Sequence, residues 1–269
     1  MKSKYDCYTF LLLSQAIDSL EEWDKKRRDL RSVFGIGEMQ NIRYSSSDNK
    51  VMKVISQFLN ISELIDGIII SFLVVASEKY QFENIEQISK EYNCEKINDK
   101  TFNRMLVITH LVGFLLSGLT KLNQRILWIT DEDDITANSF IMDKLFGFTK
   151  AALRALSPHD LYLLFDTDSV DNFEDFIARD LVAYTDLLTG VLMKTVPPTL
   201  SKNNSEEPME IKFKYRSRNP NKENKDKAIL DWASHNTGNL KKHIILIDQE
   251  QHFGSTCREL LISTIWDMG

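Results

Sequence analysis

Two stretches of the chain gather carboxylates where they could act together. In the first, Trp128-Ile129-Thr130-Asp131-Glu132-Asp133-Asp134, an apolar β-prone run passes into consecutive acids. Adjacent carboxylates repel one another, so such a run needs water, a cation or a helix N-terminus to offset the charge. Asp133 and Asp134 suit the last role, as caps of a following helix. Asp131 is the candidate site residue, with Glu132 beside it, because reactive groups of α/β sheets gather where central strands end. The second stretch opens at Glu174-Asp175 and runs to Gly190. Ile177, Ala183, Tyr184, Leu187, Leu188 and Val191 form the apolar side of a helix, with Asp186 beside that side rather than opposite it. A carboxylate so placed points along a helix packed on a sheet, and Gly190, one turn on, leaves room for close approach of a backbone. A third group is cationic. Lys212, Lys214, Arg216 and Arg218 alternate along an extended segment, which puts them on one side. They read as a solvated loop or hairpin, or as contacts to a phosphate backbone.

The elements that must position these groups follow from periodicity. Residues 8–13 predict a strand buried on both faces. Asp18 or Ser19 can cap a helix with Glu21 and Glu22 in its first turn, Trp23, Leu30 and Val33 as its stripe, and Gly35 and Gly37 at its end. A short strand over 39–44 precedes a helix capped within 45–48 and running to about Asp66. Val51, Val54, Ile55, Phe58 and Leu59 share one face of that helix. Gly67 stops it before a buried strand over 68–75. Residues 82–121 read as helical, with a break near Tyr92-Asn93-Cys94 and a restart near Asp99 or Thr101. A central strand over 125–130 and a helix over 133–155 follow. Residues 161–165 suggest a strand, and Asp171 to Asp175 a helix start. Residues 201–224, rich in Ser, Asn, Pro, Lys and Glu, read as a loop. A helix near 228–232, a strand over 243–247 and a helix carrying Leu260, Leu261 and Ile265 complete the chain. This alternation predicts an α/β fold, organised as a core over 1–195, a polar loop over 196–224 and an α/β extension over 225–269.

Composition bounds the function. With 43% hydrophobic and 27% charged residues over 269 positions, the chain can bury a full core. A formal net charge of -6 removes an overall basic field, so nucleic acid would have to meet a local patch. Cys7, Cys94 and Cys257 form no CxxC pair and the five histidines no i,i+4 pair, which argues against a zinc site or a disulfide framework and fits a reducing cytoplasm. The apolar runs 67–76 and 105–119 fall short of the roughly 20 residues of a membrane span. No signal-peptide pattern opens the chain. A carbohydrate or nucleotide enzyme lacks support from any Gly-rich phosphate loop.

The phrase Trp-Ile-Thr-Asp-Glu-Asp-Asp closing a strand, the helix Glu-Asp-(apolar)-Ala…Asp-Leu-(apolar)-(small)-Gly, and Asp48-Asn49-Lys50 opening a helix before the 68–75 strand resemble widespread bacterial ribonuclease H-like proteins. Many of these are encoded near mobile elements or phage-defence genes. The resemblance covers roughly residues 8–193. It implies a mixed sheet flanked by helices, and phosphodiester hydrolysis with two divalent ions about 4 Å apart. Oxygen ligands imply Mg or Mn. Carried over, Asp131 matches the carboxylate after the inner strand and Asp186 the one on the later helix. Glu132 is a further metal ligand candidate, Glu174 a further catalytic one, and the 212–218 cations are candidate nucleic-acid contacts. Members usually begin with a strand bearing an Asp-Glu-Ser phrase, of which Met1 onward holds only Asp6 as a nearby acid. Two expectations follow: a metal-dependent nuclease, and a catalytically inactive relative that binds a protein partner or regulates.

Overall fold

The computed structural model describes residues 5–13, 20–75, 84–119, 128, 135, 138–156, 176–196, 209–212, 220–250 and 254–263. Among these are the strands β1 (Tyr5–Leu13), β2 (Gly67–Val75), β3 (Met209–Lys212), β4 (Leu240–Glu250) and β5 (Gly254–Ser263). The helices are α1 (Glu21–Phe34), α2 (Asn49–Ile61), α3 (Ile85–Glu91), α4 (Asp99–Leu119), α5 (Ser139–Leu156), α6 (Phe176–Thr195) and α7 (Pro220–Ser234). The α/β class is therefore as the sequence suggests. The chain forms two compact units, Met1–Ala76 with Asp175–Gly269, and Ser77–Glu174. These bounds differ from the expected divisions at 195 and 224, because residues 225–269 supply strands to the same sheet as β1 and β2.

In the first unit the strand order is β1-β2-β4-β5-β3. β1 runs antiparallel to β2, β2 parallel to β4, β4 antiparallel to β5 and β5 parallel to β3. β2 is the buried strand that its Ile/Val run announces, with residues 69–74 all buried. β1 is less enclosed than expected, since Tyr5 is buried and its remaining residues are half-buried. The C-terminal segment is a strand where a helix was expected. Its hairpin with β4, from Ile245 opposite Glu259 to Glu250 opposite Gly254, outweighs the helix propensity of Glu259, Leu260 and Leu261.

Helix α2 is as its pattern requires. Asp48 caps it by accepting from the Lys50 N–H, and Val51, Val54, Ile55, Phe58 and Leu59 are all buried. It ends at Ile61 in a 3-10 turn, Ser62–Leu64, short of Asp66. In α1 the expected stripe is only partly right. Trp23 is buried, but Val33 is 79% exposed, and the inward positions belong to Arg27 and Arg31. Leu20 precedes this helix without a side-chain cap, and Gly35 closes it in the left-handed region. Asp18 and Ser19 lie outside the described residues. Residues 39–44 form turns and loop rather than a strand.

The core of this unit centres on Tyr184 of α6. Its ring stacks on Phe58 with centroids 4.5 Å apart, with Trp232 5.9 Å and Trp23 6.4 Å away. Its hydroxyl donates to the Phe58 carbonyl at 2.8 Å and accepts from Trp23 Nε1 at 3.1 Å, so the buried phenol is satisfied in both roles. α6 packs on β1, where the Thr189 hydroxyl donates to Thr9 at 2.7 Å and Thr9 Oγ1 lies 2.9 Å from Ser71 Oγ.

In the second unit α4 packs against α5. Phe148 meets Tyr92 and Phe102 edge-on at 5.0 and 6.0 Å. The break between α3 and α4 falls where expected, with Asn93 left-handed at φ 53. α5 begins later than expected. The Asn138 side chain caps it through Phe140 and Ile141, so Asp133 and Asp134 precede its start. Trp128 lies outside any strand, and the rest of the 125–130 segment lies outside the described residues. So do 161–165 and 171–175. Among the described residues no helix is long and apolar enough to cross a membrane.

Candidate functional site

Asp186 leaves α6 toward the loop that joins α1 to α2. Its Oδ2 accepts the Tyr44 backbone N–H at 2.6 Å. Tyr44 is then held from several sides. Its hydroxyl donates to Asp226 Oδ1 at 2.9 Å, its carbonyl accepts from Lys225 Nζ at 2.5 Å, and that ammonium stands 4.3 Å from the ring centroid. Asp226 Oδ2 meanwhile pairs with Lys194 of α6. Gly190 makes the space: a Cβ there would lie 2.1 Å from Tyr44 Cγ. The close approach that Gly190 suggested is thus to an aromatic ring rather than to a backbone. The cluster holds two carboxylates and two ammoniums, so its formal charges balance.

Six residues nearer the start of α6, Asp180 is fully buried and paired with both inward arginines of α1. Arg31 reaches it through Nε at 2.7 Å and through Nη2, and Arg27 through Nη1 at 3.1 Å. Arg31 also holds the Gly37 and Gln40 carbonyls at 2.8 and 3.0 Å, while Arg27 binds Glu38 at 2.7 Å. These bonds explain why residues 37–44 do not pair as a strand: several of their carbonyls are taken by basic side chains.

The sheet contributes another carboxylate position. β2 and β4 are one pair of adjacent parallel strands in it, and ligands of such sheets bind beyond the carboxyl ends of the strands. Ile247 pairs with Val74, and position 248 is the next on β4, opposite Thr256 of β5. Strand alternation puts position 248 on the face of Ile244 and Leu246, which is the face on which Thr9, itself beside Ser71, meets Thr189 of α6. Asp6, paired with Val74, falls on the opposite face.

Of the residues singled out from sequence, Asp186 is placed with its side chain. Lys212 ends β3. Asp131, Glu132, Glu174, Lys214, Arg216 and Arg218 lie outside the described residues. Asp131 and Asp186 belong to different compact units. Within the expected loop over 201–224 lie β3 and the first turn of α7, and Lys212 is the one of the four cations that falls in a described element. Sequence reading missed Tyr44, Lys194, Lys225, Asp226 and Asp248. For Asp248 a signal existed: His243-Ile244-Ile245-Leu246-Ile247-Asp248 is an apolar strand running into an acid, the same pattern that drew attention to Asp131.

All-oxygen donors of this kind suit Mg²⁺ or Mn²⁺. In the arrangement described they do not make a site for one. Among the described residues no three His, Cys, Asp or Glu side chains are grouped to hold a metal. Asp186 is engaged by an N–H, and the neighbouring Asp226 by a phenol and an ammonium, donors that repel a cation. Comparisons with protein-family models, curated proteins and solved structures found no match to this chain.

Proposed function

We propose that the chain is a ribonuclease H-like protein that hydrolyses phosphodiester bonds of a nucleic acid with a divalent metal, Mg or Mn. The observation that supports this most is the shared face of the sheet. The parallel pair β2 and β4 brings an acid at position 248 to a carboxyl end, on the face against which α6, the helix of Asp186, is packed. Asp186 and Asp248 are the residues we assign to the site, with Asp131, Glu132 and Glu174 as further candidates from sequence and Lys212, Lys214, Arg216 and Arg218 as phosphate contacts. Among the described residues these donors do not form a dication site.

A second reading has its own support. The Tyr44 N–H on Asp186 favours a catalytically inactive relative in which this carboxylate braces a loop. Cleavage of single- and double-stranded DNA and RNA with Mg²⁺ or Mn²⁺, by the wild type, Asp186→Asn and Asp248→Asn, separates the two. The nuclease reading expects metal-dependent cleavage that both substitutions abolish. Cleavage indifferent to both would sink the site assignment. A chain that cleaves none of these substrates would favour the inactive relative.

A further inference from the structure

We propose that Lys242, near the amino end of β4 and so at the opposite end from position 248, is a carbonyl-reactive amine that takes a small uncharged aldehyde as an imine. This stands apart from the nuclease reading and shares no residue with it.

Among the described residues the buried lysines are Lys225 and Lys242, at 7% and 5% exposure, and they are held differently. Lys225 Nζ donates to the Tyr44 carbonyl at 2.5 Å. No described oxygen bonds or pairs with the Lys242 ammonium, whose contact is the Trp232 ring, 5.2 Å from Nζ to centroid. Both sides of that contact are fixed. Asn236 holds Lys242 through its backbone, donating to its carbonyl at 2.8 Å and accepting from its N–H at 2.7 Å. Trp232 Nε1 donates to the buried Ser62 hydroxyl at 2.9 Å, and its ring lies on Tyr184 in the core. Across the sheet the neighbour of Lys242 is Ile69 of β2.

An ammonium in such a place loses water that an aromatic face replaces only in part, whereas the neutral amine loses less. Burial accordingly pushes the pKa of Lys242 down; Glu63, in the 3-10 turn after α2, opposes that without forming an ion pair, and Lys241 adds to it. The sequence neighbour Lys241 is the contrast, since its ammonium is exposed and donates to the Asn236 and Gly238 carbonyls at 3.1 and 2.9 Å. A neutral amine is a nucleophile. Its lone pair adds to the aldehyde carbon, a proton passes from nitrogen to oxygen, and loss of water leaves the C=N bond. The small exposure of Lys242 limits the aldehyde to a small one. With a cation and a carboxylate both acting on the amine, a charge on the aldehyde would be repelled by one of them, which favours an uncharged compound.

The test treats the full chain with limiting acetaldehyde and cyanoborohydride, which reduces the imine to an ethylamine, and locates the product by peptide mass spectrometry. At about pH 7 Lys242 should be ethylated first, several-fold ahead of Lys241. That lead should shrink as pH approaches about 10, where ordinary lysines also become neutral. Glu63→Gln, a change at an exposed position, should speed labelling of Lys242 at neutral pH, because it removes the charge that favours the ammonium. In urea the lead should vanish. No ethylation of Lys242 in the folded chain would overturn the proposal. So would a lead that is the same at every pH, which marks mere accessibility, or one that persists in urea, which marks local sequence alone.

Discussion

Replacing Asp180 by alanine removes the acceptor that two buried guanidiniums share, and the two are not equally exposed to the loss. Burial works against the charge of Arg27, but Glu38, Asp24 and Asp180 more than offset it and raise its pKa further above the ordinary guanidinium value. Without Asp180, Arg27 keeps Asp24 at 2.8 Å and Glu38 at 2.7 Å. Arg31 would keep the Gly37 and Gln40 carbonyls but lose its paired contact to a carboxylate. Arginine does not shed its proton at usable pH, so Arg31 would remain a buried cation facing carbonyl dipoles. Removing one partner of a buried pair costs about 3–5 kcal/mol, and with Arg27 largely compensated we expect about 4 kcal/mol from Asp180→Ala. That is a large share of a total stability of about 5–15 kcal/mol. Arg31→Met should cost about 3 kcal/mol for the converse reason. The double variant should cost well under the sum, with a coupling energy of about 2 kcal/mol. Urea unfolding followed by tryptophan fluorescence measures all of these, and the cost should change little between low and high salt because the pair is buried. A cost for Asp180→Ala below about 1 kcal/mol, or strict additivity, would refute the argument.

Tyr184→Phe leaves the ring stack in place but strips the partners from buried Trp23 Nε1 and the Phe58 carbonyl, so it should destabilise by about 1–3 kcal/mol; an unchanged thermal midpoint would contradict the bonding described. Cys7 has its thiol pKa pushed from 9.0 up to about 12 by desolvation, opposed by bonds from Thr9 and Thr189. Below pH 9.0 both folded and unfolded thiols are protonated and the contribution is full; between 9.0 and about 12 the unfolded thiol ionises first, so stability falls as pH rises. Comparing the alkaline slope of unfolding free energy in wild type and Cys7→Ala should show the wild type falling more steeply. Iodoacetamide at about pH 8 should accordingly label Cys7 on unfolding and spare it in the folded chain.

How much could be read in advance depended on whether a pattern was local. The cap at Asp48, the five buried positions of α2, the buried β2 and the break at Asn93 follow from short-range chemistry, and each is found. Asp186 was legible as an acid beside the apolar side of its helix, but what it meets was not. Tyr44 lies 142 residues away along the chain, within a segment whose alternation imitated a strand. The inward arginines of α1 look like solvent-facing charge until Asp180, 149 residues from Arg31, supplies the counter-charge that lets them be buried.

The sequence by itself determined the class of the fold and most of the helices, because hydrophobic period, caps and turn residues act within a few positions. Only the tertiary structure decided which strands are neighbours. It made 254–263 a strand by pairing it with β4, and it put β4 beside β2 so that position 248 reaches a carboxyl end. It also decided that Asp186 accepts the Tyr44 N–H. Strand pairing and charge compensation join residues far apart in the chain, so neither is written in the local pattern of either partner.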